Sequence, residues 1–87
     1  MKLYHFYPNG YGSEYYVMAL HRAAALKYLL ALFELQKEAA PNKYGVEDAQ
    51  EDIDRWSNVD ADKPSTFPSE YTLNEYSLGQ VIRSEIA

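Results

Sequence analysis

The segment from His21 to Ala39 constrains the fold more than any other part of the chain. It consists mainly of Ala, Leu, Lys, Glu and Gln and stops before Pro41-Asn42, which predicts a long helix with a sharp end. Its apolar residues follow helical spacing and form a stripe roughly 100° wide or more. They are Ala25, Leu26, Leu29, Leu30, Leu32, Phe33 and Leu35. So broad a stripe predicts burial against two neighbours, a sheet and either a second helix or a second copy.

The residues before this helix predict a β-hairpin. Residues 2–7 alternate between two faces of an extended strand, and residues 14–19 resume an extended, aromatic and β-branched pattern. Between them, the sequence Pro8-Asn9-Gly10-Tyr11-Gly12-Ser13 supplies turn residues. We therefore expect residues 2–7 to pair with residues 14–19.

Residues 46–57 predict a second, shorter helix with one narrow apolar face. Val46, Ala49, Ile53 and Trp56 recur at helical spacing. Acidic residues take up the rest of the circumference: Glu47, Asp48, Glu51, Asp52 and Asp54. Residues 58–68 follow as a loop, because Asp, Pro and Ser interrupt regular structure there.

The carboxy-terminal part of the sequence allows two interpretations. Residues 71–76 alternate as a strand, and residues 80–86 can pair with them as a hairpin around a turn at 77–79. Alternatively, a helix begins at Ser77, since Ser77 and Gln80 have capping-box spacing. The β-branched pair Val81-Ile82 and the early Gly79 favour the strand.

Together these elements predict one α+β domain over residues 1–87. A chain of 87 residues buries about 60–65% of its extended surface, too little to divide between two cores. We expect a small antiparallel sheet, made of the amino-terminal hairpin and a carboxy-terminal strand or hairpin. One long and one short helix should pack on one face of that sheet.

The absence of cysteine indicates a reducing compartment. A secreted domain of this size usually depends on disulfides, and the chain has no cysteine. No signal-peptide pattern is present, and the longest apolar run, residues 28–33, is far shorter than a membrane span. We therefore expect a cytoplasmic protein without a membrane partner.

Acidic residues are concentrated in the second half of the chain. Residues 1–43 carry five Lys/Arg and three Asp/Glu, whereas residues 44–87 carry three Lys/Arg and ten Asp/Glu. Such a charge distribution repels nucleic acid and anionic lipid and attracts basic protein surfaces. A net charge of −5 is also what keeps a small protein soluble, so the solvated-surface interpretation stays open.

No motif in the sequence indicates catalysis, a metal or a cofactor. His5 and His21 have no cysteine and no partner at metal-binding spacing, and no serine lies in a nucleophile motif. Gly10 and Gly12 lack the third glycine and the following helix of a phosphate-binding loop. We therefore expect a non-enzymatic protein with no cofactor.

Tyrosine is abundant, with nine residues in the chain. Five lie in or beside the predicted hairpin: Tyr4, Tyr7, Tyr11, Tyr15 and Tyr16. Cross-strand packing explains them, but tyrosine is also enriched at protein interfaces because it gives contact area with little loss of entropy. A nucleic-acid stacking surface is disfavoured, since few basic residues accompany these rings.

In general character the chain resembles the small proteins with which bacteriophages block host defence, among them the anti-CRISPR proteins. The shared features are a short acidic chain without cysteine, a hairpin-helix beginning and the acid-rich segment Glu47-Asp48-Ala49-Gln50-Glu51-Asp52-Ile53-Asp54. No motif can be aligned, so no functional residue is carried over. The resemblance implies an inhibitor that occupies the nucleic-acid or guide-binding surface of a CRISPR-Cas effector in the bacterial cytoplasm.

The leading hypothesis from the sequence is thus an inhibitor that binds a basic surface of another protein and does not bind nucleic acid itself. Its expected partner-binding residues are Glu47, Asp48, Glu51, Asp52, Asp54, Tyr11, Tyr15 and Tyr16. The alternative is a structural or assembly protein that homodimerises through the apolar helix 21–39. Monomer and homodimer both remain open at this point.

Overall fold

The computed structural model describes residues 1–77 and contains a three-stranded sheet and two helices. In chain order the elements are β1 (Lys2–Pro8), β2 (Tyr15–Ala19), α1 (Arg22–Ala39), α2 (Lys43–Trp56), a 3₁₀ turn (Pro64–Thr66) and β3 (Tyr71–Ser77). The sheet order is β2-β1-β3, and both pairings are antiparallel. The predicted α+β class and the predicted hairpin are confirmed.

Strand β1 lies in the centre of the sheet and supplies aromatic residues to the core. Tyr4 and Phe6 point to the same side of the strand and are fully buried. Phe6 lies opposite Tyr15 of β2 and opposite Leu73 of β3. Leu3, His5 and Tyr7 alternate with these two residues along β1 and therefore point to the sheet face away from the core.

Helix α1 packs its buried residues onto the core formed with β1 and β2. His21 begins the helix, because its Nδ1 accepts a hydrogen bond from the Ala24 backbone N–H at 3.1 Å. The Phe33 ring meets the Tyr15 ring edge to face at 5.3 Å. The predicted stripe was too wide, since Leu32 and Leu35 are exposed.

Helix α2 begins at Lys43, three residues before the predicted start at 46. The Asn42 side chain accepts a hydrogen bond from the Gly45 N–H at 3.0 Å, which caps the first turn. The helix can therefore begin at Lys43, close behind Pro41. At the other end, the Trp56 ring lies edge to face against Phe6 and Tyr71, each at 5.3 Å. Trp56 therefore joins α2 to the central strand and to β3.

Strand β3 confirms the predicted strand at 71–76 and extends it to Ser77. The choice between strand and helix for residues 80–86 falls outside the described residues. Within residues 1–77, no helix combines the length and apolar character needed to cross a membrane.

Candidate protein-binding site

The loop between β1 and β2 is held against the beginning of β3. The Asn9 backbone N–H donates to the Glu70 carbonyl at 2.8 Å, and the Asn9 side-chain amide donates to the Ser69 carbonyl at 3.0 Å. The Thr72 hydroxyl in turn donates to Asn9 Oδ1 at 2.7 Å. These three bonds fix one end of the hairpin loop to residues about sixty positions away in the sequence.

Gly12 allows a close approach between the same loop and Tyr71. It has φ of +142°, and a Cβ at this position would lie 3.0 Å from the Tyr71 hydroxyl and 3.3 Å from Pro8 Cβ. The Tyr71 hydroxyl donates to the Ser13 carbonyl at 3.3 Å. Both the backbone conformation and the space therefore favour glycine here.

This packing places the hairpin loop beside the acidic side of α2, with a groove of about 300 Å³ between them. The groove is lined by residues of the loop, of α2 and of the segment that enters β3, and we call it the acidic groove. Its lining residues are Tyr11, Gly12, Ser13, Tyr15, Asp48, Glu51, Asp52, Arg55, Glu70 and Tyr71.

Negative charge dominates the acidic groove. Four carboxylates and one guanidinium line it, and the guanidinium of Arg55 is already paired with Asp52 at 2.7 Å. Burial raises the pKa of Tyr15 and of Tyr71, and the nearby Asp52 carboxylate raises both further. The two hydroxyls therefore stay neutral at physiological pH and add polar groups without adding charge.

Five of the eight sequence-predicted binding residues line the acidic groove. They are Tyr11, Tyr15, Asp48, Glu51 and Asp52. Glu47 and Asp54 are exposed on the other edge of α2, where Asp54 accepts a hydrogen bond from the Gln50 amide at 2.8 Å. The structure thus brings the two predicted surfaces, acidic helix and tyrosine-rich hairpin, together at one place.

The eighth residue, Tyr16, lies on the opposite side of the sheet. Its ring stacks on His5 with centroids 4.3 Å apart, and its hydroxyl donates to Glu14 Oε2 at 3.3 Å. His5 Nε2 is buried and lies 3.5 Å from the same carboxylate oxygen without hydrogen-bond geometry. No three His, Asp or Glu side chains within residues 1–77 are placed to hold a metal ion.

A second groove, about 510 Å³, runs along β3 and contains an ion pair. Arg22 Nε donates to Glu75 Oε1 at 2.8 Å, and Arg22 Nη1 donates to the Ala61 carbonyl at 3.1 Å. The hydrogen bond from Arg22 lowers the pKa of the Glu75 carboxyl. Because both charges have partners, this groove has less attraction for a charged ligand than the acidic groove.

Sequence reasoning missed five residues of the acidic groove: Gly12, Ser13, Arg55, Glu70 and Tyr71. Arg55 lies three positions after Asp52, a spacing that signals a pair on one helix side. Glu70 and Tyr71 carry no such signal, because their position depends on the hydrogen bonds from Asn9.

Comparison with protein-family models, with curated proteins and with solved structures finds no significant match. The function is therefore inferred from the geometry and charge of the acidic groove.

Proposed function

We propose that this chain is a non-enzymatic inhibitor that binds a basic surface of another protein through the acidic groove. The observation that carries the proposal is the meeting of carboxylates and tyrosines at one concave surface. Carboxylates accept hydrogen bonds from Lys and Arg, and tyrosine rings stack on guanidinium groups. A Lys- or Arg-rich surface is thus the partner that this groove fits best.

The most specific form of the proposal is an anti-CRISPR protein that occupies a nucleic-acid-binding surface of a host effector. Carboxylates three or four positions apart on α2 have Cβ atoms about 5–6 Å apart, so that a row of cationic side chains can meet them. Asp48, Glu51 and Asp52 have this arrangement. A surface built for phosphates is rich in Lys and Arg and would be blocked by such a row.

The test compares two charge reversals on the same helix. Asp48→Lys/Glu51→Lys reverses two exposed carboxylates in the acidic groove, and the matched control Glu47→Lys/Asp54→Lys reverses two exposed carboxylates on the other edge. Both variants change the net charge equally and should fold, because exposed charges contribute little to stability. We expect the groove variant to associate at least about tenfold more slowly than wild type. The control should associate at close to the wild-type rate.

Partners are first captured from a bacterial lysate with the wild-type protein, identified by mass spectrometry and then titrated with both variants at low and high salt. A captured effector should also lose nucleic-acid binding when the wild-type protein is added. Equal loss of binding by both variants would assign the effect to overall charge, and equal retention would exclude the acidic groove.

A further inference from the structure

One side of α1 exposes apolar side chains to solvent. Tyr28, Leu32 and Leu35 are 55%, 39% and 63% exposed and follow each other at spacings of four and three residues. They form a line along the helix. On α1, Lys37 contacts Gln50 of α2, and helical geometry places Lys37 well over 100° around the helix from Leu32 and from Leu35. The exposed line therefore faces away from α2.

The free edge of the sheet lies on this same side. Helix α1 packs over β2 through the Phe33–Tyr15 contact, whereas α2 packs over β1 and β3 through Trp56. The side of α1 that faces away from α2 is therefore the side of β2. Within residues 1–77, β2 pairs only with β1, so alternate N–H and C=O groups of its outer edge have no strand partner there.

Strand β2 carries a further exposed apolar residue, Met18, which is 49% exposed. Met18 alternates with Val17 and lies on the sheet face away from α1, so it borders the outer edge of β2 from the other face. We call the combination of the β2 outer edge, Met18 and the Tyr28–Leu32–Leu35 line the β2–α1 flank. An apolar surface beside an unpaired strand edge is a common place for protein association.

Charge selects the occupant of the β2–α1 flank. The residues of α1 on this side are uncharged. They are Ala24, Tyr28, Ala31, Leu32, Leu35 and Ala39. The acidic residues of α1, Glu34 and Glu38, lie toward its solvent side, with Glu38 at the border of the line, three positions after Leu35. Two copies of a chain with net charge −5 repel each other at acidic surfaces, and this neutral surface is one where they meet without that cost.

We infer that the β2–α1 flank is a homodimer interface. Strand β2 pairs antiparallel with β2 of a second copy, and the two α1 helices pack beside each other. Antiparallel pairing of identical strands is compatible with a two-fold axis, as a closed dimer requires. The strands described for the two copies then form one continuous sheet.

The size of the flank sets the expected strength of the dimer. A helix of 18 residues is about 27 Å long and about 10 Å wide, so the α1 line offers roughly 270 Å² in projection per copy. The main chain and side chains of β2 add to this, which brings the dimer toward the lower end of stable interfaces, about 1,200 Å² in total. We therefore expect a reversible dimer that depends on protein concentration.

Sedimentation equilibrium of wild type and two single variants tests the interface. Leu35→Glu and Tyr44→Glu each replace an exposed apolar residue by glutamate, but only Leu35 lies in the flank, whereas Tyr44 is 74% exposed at the beginning of α2. We expect a monomer–dimer equilibrium for wild type and Tyr44→Glu and at least tenfold weaker association for Leu35→Glu. Melting of Leu35→Glu equal to that of wild type, measured at a concentration where wild type is monomeric, will show that its fold is intact.

Cysteine cross-linking tests the arrangement independently, because the chain has no cysteine of its own. Single cysteines at Tyr16, Val17 or Met18 place thiols along β2, and Thr72→Cys is the matched control on β3, the other edge strand within residues 1–77. Under mild oxidation we expect at least one β2 position to give a disulfide-linked dimer well above the control, since paired Cβ atoms lie about 4.5–5.5 Å apart.

Several outcomes would overturn the inference. They are a wild-type protein that stays monomeric at every concentration, a dimer that Leu35→Glu leaves intact, and cross-linking at Thr72 equal to that on β2. Loss of a captured foreign protein in Leu35→Glu, with a monomeric wild type, would assign the flank to that other partner. Binding of a basic partner by monomeric Leu35→Glu separates this interface from the acidic groove, so each proposal can fail alone.

Discussion

Truncation of Phe33 is a single substitution that should lower the free energy of unfolding by a large amount. It is fully buried, lies between α1 and the sheet, and meets the Tyr15 ring at 5.3 Å. Phe33→Ala removes the whole ring from this core and leaves a cavity, which typically destabilises a protein by about 3–5 kcal/mol. A chain of this length has a total stability of roughly 4–13 kcal/mol. The variant is therefore expected to lie near the limit of folding.

Urea denaturation followed by Trp56 fluorescence measures this cost, since the chain contains one tryptophan and Phe33→Ala leaves it in place. With a slope of about 1–3 kcal/mol per molar urea, the midpoint should fall by at least about 1 M. Tyr44→Ala is the matched control, because Tyr44 is 74% exposed at the beginning of α2, lies outside the β2–α1 flank, and its truncation should cost about 0.5 kcal/mol or less. A Phe33→Ala midpoint no lower than that of Tyr44→Ala would refute the assigned packing of α1.

Two further predictions concern the beginning of α1. His21→Ala removes the acceptor for the Ala24 N–H and should lower the free energy of unfolding by about 0.5–2 kcal/mol, while His21→Asn restores a cap. Equal thermal melting of the two variants would contradict the capping role. Arg22 lowers the pKa of Glu75, so the ion pair contributes stability above the unfolded-state pKa of Glu and loses it as pH falls through the lower folded-state pKa. Both groups are partly exposed, so Glu75→Gln should lower the free energy of unfolding by at most about 1 kcal/mol at pH 7. In acid the stability of this variant should converge with that of wild type. A difference that persists in acid would argue against a stabilising Arg22–Glu75 ion pair.

Local patterns predicted most of the secondary structure. Alternation, the Asn-Gly turn and the composition of residues 21–39 each act within a few positions, and the hairpin and α1 follow from them. The start of α2 was placed late because the apolar spacing that indicated this helix begins only at Val46. Asn42 caps an earlier start, and its side chain is a signal that the sequence does contain.

The width of the buried α1 stripe and the lining of the acidic groove depend on contacts between distant residues. Hydrophobic spacing places Leu32 and Leu35 in the apolar stripe of α1. It cannot show how far around the helix the contacts with the sheet and with α2 extend. In the groove, Glu70 and Tyr71 meet the hairpin loop through Asn9 and Gly12, which are about sixty positions away. Such contacts leave no periodic trace in a single sequence.

The central position of β1 has a consequence for how the chain folds during synthesis. Lys2 pairs with Ser77, so β1 is synthesised well before β3, the strand that covers its second edge. Until then a nascent chain that ends after α2 carries two unpaired edges on a two-stranded ribbon, an arrangement that is marginal alone and prone to aggregate. Closing a loop of this length also slows folding, because distant pairing is reached late. Truncation before Tyr71 should therefore give an insoluble product rather than a smaller folded domain.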